Sequence, residues 1–143
     1  MKEQTAAFLD KARQQLQRAE TMFSVELTDD AGRAAYLAGL HAAQALIFEN
    51  TDKIIKSHRG AQGELRRLLR NEPSFDRDLL AFLSRTYHLK DIADYETGPG
   101  AMVSVEHAQE AIQTGRRFVE TIARLLPPNG PTLRARGAPQ PSG

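Results

Sequence analysis

The chain has 143 residues, a formal net charge of +1 and no cysteine. The near-zero charge excludes a polycation that holds nucleic acid over its whole surface, so any such binding must come from a local patch. The absence of cysteine excludes disulfides, thiol catalysis and Cys-ligated zinc, and it fits a reducing cytoplasm.

One domain of this length buries roughly 70% of the surface its unfolded chain exposes. Ala, Leu, Glu, Gln and Arg dominate, and runs rich in Val, Ile and Thr are absent, which points to an all-α protein. The opening MKEQTAAFLDKARQQ lacks a continuous apolar stretch and carries acids early, so neither a signal peptide nor a membrane span is expected there.

In chain order, Lys2 to Phe23 repeats Leu9, Ala12, Leu16, Ala19 and Phe23 in steps of three and four, an amphipathic helix with one narrow seam. Thr28, Asp29 and Asp30 are candidate caps for the next helix and place negative charge at its positive end. That helix, Asp30 to Asn50, carries Ala31, Ala35, Ala38, Ala42 and Ala45 as one stripe of small side chains. A second row holds Ala34, Leu37, His41 and Phe48, and a third holds Tyr36, Leu40, Ala43 and Ile47. A helix apolar almost all round is buried on most sides. Arg33, His41, Gln44 and Glu49 argue against a membrane span, because isolated charge in hydrocarbon is expensive. It reads as the central rod of a soluble bundle, and its alanine stripe admits a close neighbour.

After Asn50 comes a turn with Ile54 and Ile55 expected to point inward. Ser57 is placed to cap a short helix from His58 to Arg70, with Ala61, Leu65, Leu68 and Leu69 on one face and Gly60 and Gly63 weakening it. Ser74, with Asp76 and Asp78 behind it, starts a fourth helix that ends near Tyr95 and turns Leu79, Phe82, Leu83, Leu89, Ile92 and Ala93 toward a core. ETGPGAM is a loop. Ser104 opens a fifth helix along Ala108, Ile112, Gly115, Val119, Ile122 and Leu126, and Pro127 and Pro128 stop it. The expected architecture is an up-and-down bundle of four to five helices over residues 1–126. Residues 127–143 are rich in Pro and Gly and poor in apolar side chains, and they read as a flexible, disordered tail.

Three features suggest chemistry. Lys53, Lys56, Arg59, Arg66, Arg67 and Arg70 form the densest basic segment, suited to phosphates or simply to water. His41, His58, His88 and His107 include no pair at the i, i+4 spacing of a helical metal site, and no phosphate-binding glycine loop appears; no metal or cofactor is expected. Arg85 and His88 share a helix face, the pairing that metal-independent RNA cleavage would use, with His moving a proton and Arg stabilising charge at phosphorus. The alternative is an ion network, Lys90 with Asp94 at i, i+4 and Arg85 with a carboxylate.

AAYLAGLHAAQALIFE, then KSHRG, then LKDIADYETG resembles, in this order, the small bacterial and archaeal HEPN-domain proteins, over about Leu9 to Leu126. The matching positions are Tyr36 in the alanine-rich helix, the turn Ser57, His58, Arg59 and Gly60, and the pair Asp94 and Tyr95. The resemblance implies a helical bundle that dimerises and is encoded beside a minimal nucleotidyltransferase as a toxin–antitoxin-like pair. It also implies that active ribonucleases of the family carry Arg, four to six residues, then His, meeting across a dimer. Here Arg85 and His88 enclose only two residues, and Lys90 stands where relatives often place the Arg before Asp-Tyr.

The expected function is therefore a cytoplasmic, non-catalytic HEPN-like module. It forms a homodimer, binds a nucleotidyltransferase-like partner, and takes nucleotide or RNA at His58, Arg59, Arg66, Arg67 and Arg70, with Tyr36, Asp94 and Tyr95 structural. The alternative is a ribonuclease toxin with Arg85 and His88 as catalytic residues. A third reading is an all-α accessory subunit covering another enzyme's apolar face.

Overall fold

In the computed structural model, which describes residues 1–128, helix α2 (Thr28–Thr51) runs through the middle of the molecule. Around it lie α1 (Glu3–Ser24), α3 (His58–Leu68), α4 (Arg77–Tyr95) and α5 (Val105–Leu125). No strand occurs among the described residues, and no helix there is long and apolar enough to cross a membrane. The chain is an all-α bundle. Of the expected tail, residues 129–143, which include Arg134 and Arg136, lie outside the described residues.

The five alanines of the α2 stripe are completely buried, as are Ala12 and Ala19 of α1. Small side chains on both partners let α1 and α2 form the most extensive helix contact of the fold. They are antiparallel, because the Lys2 amide donates to Glu49 Oε1 at 2.9 Å. Arg33 meets Asp94, so α4 runs against α2, and Asp76 meets Arg117, so α5 runs against α4. The up-down-up-down order of α1, α2, α4 and α5 follows, with α3 as a short crossing element.

Helix ends partly follow local chemistry. Ser57 Oγ accepts from the Gly60 amide at 3.0 Å, and Ser104 Oγ accepts from the His107 amide at 3.0 Å, both as caps. Helix α4 is capped by Asp76, whose Oδ1 accepts from the Leu79 amide, and not by Ser74, whose hydroxyl donates to Glu72. None of Thr28, Asp29 and Asp30 caps α2 through its side chain. Asp29 Oδ1 instead accepts from the Val103 amide at 2.8 Å, which fastens the start of α5 to the start of α2. Its carboxylate and that of Asp30 still sit in the first turn, where the helix dipole favours them.

The turn from α1 into α2 places Glu26 in the left-handed region, φ 68°. Leu27 N–H bonds to Met22 O and Glu26 N–H to Phe23 O, a Schellman pattern that usually holds glycine at that position. Beyond α2, Gln44 donates to Ile55 O at 3.0 Å while its Oε1 accepts from His41 Nδ1 at 2.9 Å. This ties the segment before α3 to the rod. Ile55 is half-buried, but Ile54 is exposed, contrary to the inward position expected for it.

Phe82, fully buried on α4, reaches between α2 and α5. A Cβ on Gly39 would stand 2.5 Å from its Cε2 and 2.9 Å from Leu83 Cδ2, and one on Gly115 would stand 3.1 Å from its Cζ. The ring also packs on Phe118, centroids 4.9 Å apart. Two glycines on facing helices thus make the slot that sets α4 against the rod. At Gly32 a Cβ would meet its nearest neighbours at an ordinary 3.5 Å.

Gly39→Ala is expected to lower stability by about 1–3 kcal/mol through overpacking. Gly32→Ala is expected to raise it by up to about 1 kcal/mol, through helix propensity. Urea unfolding of both variants checks the pair, and equal shifts would contradict the slot.

Candidate functional site

Three segments far apart in the chain meet where α2, the start of α3 and the second half of α4 come together. Tyr36 is 2% exposed, and its hydroxyl lies 3.1 Å from His58 Nδ1. A buried hydroxyl needs an acceptor for its proton. Tyr36 therefore donates to Nδ1, and His58 carries its own proton on Nε2. Tyr87 of α4 stacks on the His58 ring with centroids 4.0 Å apart and planes 15° apart. It also meets Tyr36 edge-on at 5.4 Å and 63°. Such offset and edge-to-face contacts are the favoured geometries of aromatic pairs.

Burial decides the charges of this cluster. It pushes the Tyr36 hydroxyl up to about 12, helped by Tyr87 and the negative charge of Asp91. Burial also lowers His58, and Asp91 opposes this more weakly. At neutral pH the cluster is thus a neutral histidine held by a protonated tyrosine.

Next to it runs an ion network. Asp94 accepts from Arg33 at 2.6 Å and pairs with Lys90 at 2.9 Å, and Arg33 also reaches Asp30 at 2.9 Å. Lys90 and, after it, Arg33 hold the Asp94 carboxyl below its usual range, against the opposite push of burial. The Lys90 ammonium sits 5.7 Å from the Tyr87 ring centre and 5.4 Å from that of Tyr95, joining the network to the aromatic cluster. Tyr95 itself is largely exposed. Its ring is not packed into the core as that of Tyr36 is.

Arg85 and His88 turn to the other side of α4. They line a half-open groove of about 560 Å³ between α4 and α5, over an apolar floor that includes Phe82, Leu89 and Ile92. His107 and Glu110 of α5 face them across it. Arg85 is loosely paired with Asp78 at 3.5 Å. The candidate binding arginines of α3 also stay outside the aromatic cluster. Arg59, Arg66, Arg67 and Arg70 are exposed, and Arg67 is bonded to Glu64 at 2.8 and 2.9 Å. Only His58 of the basic segment enters the aromatic cluster.

Tyr87, His107 and Glu110 were not singled out as partners from the sequence. Tyr87, Asp91 and Asp94 recur at i, i+4 and i+7, and His107 and Glu110 at i, i+3, so each set shares a helix face. That spacing was the available signal.

Residues 5–125 match the family model described as HEPN domain. This chain belongs to the HEPN domain family. Its fold is similar to the crystal structure of TT1696 from Thermus thermophilus, with a TM-score of 0.73 over 87% of this chain and 100% of that chain. Identity between the two is 17%, so the likeness is one of fold. No curated protein matches the chain. In this HEPN domain Tyr36, His58 and Asp94 all belong to one continuous face made by α2, α3 and α4.

Two measurements probe that face. Because the folded-state value of His58 lies below its ordinary 6.5, the folded chain binds this proton less readily than the unfolded chain. Its contribution is complete above that pH and is lost as pH falls through the folded-state value. The melting temperature should therefore decline as pH falls below about 6.5, and His58→Gln should flatten the decline. Asp94→Ala leaves Arg33 and Lys90 facing each other without their shared anion. A loss of about 1 kcal/mol is expected, reduced by high salt, since the group is only partly shielded from water. An unchanged melting temperature at low salt would show that the network stabilises nothing.

Proposed function

We propose that this HEPN chain is a non-catalytic binding module of a toxin–antitoxin-like pair. It forms a homodimer and engages a nucleotidyltransferase-type partner, with nucleotide or RNA held by the exposed arginines of α3. The observation that carries the reading is the separation of Arg85 and His88 from the other polar motif residues. Cleavage of RNA without a metal needs a proton-transferring group and a cation within reach of one phosphate. Here the α4–α5 groove and the basic surface of α3 lie on different sides of α4, and Asp78 already neutralises Arg85 in part. The spacing of two residues between Arg85 and His88 points the same way.

One observation favours the ribonuclease alternative. Two histidines, an arginine and a glutamate border one groove in a single chain, and these residue types supply a base, an acid and a phosphate clamp. The two readings separate on expression. For the binding module, intact and His88→Ala proteins leave cellular RNA equally intact, and a co-expressed nucleotidyltransferase co-elutes with either in fixed proportion. RNA breakdown by the intact protein that His88→Ala abolishes would replace the binding reading with the catalytic one.

A further inference from the structure

Six large apolar residues are exposed among the described residues, and five of them gather at one end of the bundle. Val25 and Leu27 lie in the α1–α2 turn, Tyr95 ends α4, and Met102 and Val105 open α5; each is at least half exposed. The Asp29 bond to the Val103 amide and the Arg33–Asp94 pair bring these three segments to the same end. Scattered apolar residues on a surface need no explanation, but a gathering of this kind marks an interaction site.

The charge around it has one sign. Neither residues 19–32 nor residues 91–115 contain a lysine or arginine. Glu26, Glu96 and Glu106 border the apolar residues and make no ion pair among the described residues. The cations brought nearby by other segments, Arg33 and Lys90, are both taken by Asp94.

This combination restricts what can cover the surface. A nucleic acid or an anionic lipid headgroup is repelled by the acidic rim. Two copies of this chain joined about a two-fold axis through this end would set like charges against each other. A head-to-tail contact with the basic segment around α3 satisfies charge, but Ile54 is the large apolar residue exposed there to meet five. A protein segment with an apolar stripe flanked by lysine and arginine satisfies both requirements.

We infer that this apolar, acid-rimmed end of the bundle is a docking surface for a basic amphipathic helix of a partner protein. The inference rests on the partner-binding reading above and adds where the partner sits and what it presents. The apolar stripe packs on Leu27, Met102 and Val105, and the flanking cations pair with Glu26, Glu96 and Glu106. Steering by opposite charge makes the association sensitive to salt.

The test uses the full chain and two synthetic helical peptides with the same leucine stripe, one flanked by lysine and the other by glutamate. The lysine peptide should bind saturably and shift backbone amide resonances in the α1–α2 turn, the end of α4 and the start of α5. The glutamate peptide should bind at least about tenfold more weakly. Joint Glu96→Lys and Glu106→Lys substitution should reverse the preference, and joint Met102→Ser and Val105→Ser substitution should weaken both peptides. These side chains are exposed, and an unchanged melting curve confirms that the variants fold. Equal binding of the two peptides, no binding, or shifts confined to α3 or to the α4–α5 groove would overturn the inference. So would sedimentation showing that Met102→Ser and Val105→Ser dissolve a self-associated form. A nucleotidyltransferase complex unaffected by the lysine substitutions would remove this surface but leave partner binding intact. Lysine-peptide binding at this end, without any such complex, would do the reverse.

Discussion

The arrangement of this domain depends on Phe82 entering the slot between Gly39 and Gly115. Buried aromatic area supplies the driving force, and the missing side chains on the two facing helices supply the room. With the ring seated, the rotation of α4 about its own axis is decided. Tyr87 then faces the start of α3, Asp94 faces Arg33, and Arg85 and His88 face α5. The chemistry on either side of α4 is a consequence of how one ring packs in the core.

The face toward α3 is held by neutral and ionic contacts of different character. Tyr36, His58 and Tyr87 exclude water from one another, which keeps the imidazole neutral and the phenol protonated. Beside them, Asp94 is shared by two cations and stays ionised. Lys90 touches both systems, so the motif residues act as one unit that locks α2, α3 and α4 together. A face whose polar groups are committed to each other is suited to holding shape.

The surfaces outside this face are unlike one another. Exposed arginines collect on α3, while the end formed by the α1–α2 turn and the α4–α5 connection is apolar and acidic. The formal charge of +1 conceals this division. For a domain whose family membership is clear, the polarity of its surface says more about the company it keeps than its total charge does.

Much of the architecture was legible in the residues. The alanine stripe, the seams of α1 and α5, and the caps at Ser57 and Ser104 depend on neighbours within a few positions, and all are found where the spacing puts them. The motif order from Tyr36 to Tyr95 likewise named the family. Tertiary structure decided the rest. Asp29 gave up a local cap for the Val103 amide, Tyr95 stayed in water, and Tyr87, which belonged to none of the motifs, became the partner of His58 while Arg85 and His88 turned to the α4–α5 groove. Periodicity tells which residues share a face of a helix, because the backbone repeat alone controls that. Which other helix the face meets is set by the balance of core packing over the whole chain, and no local pattern records it.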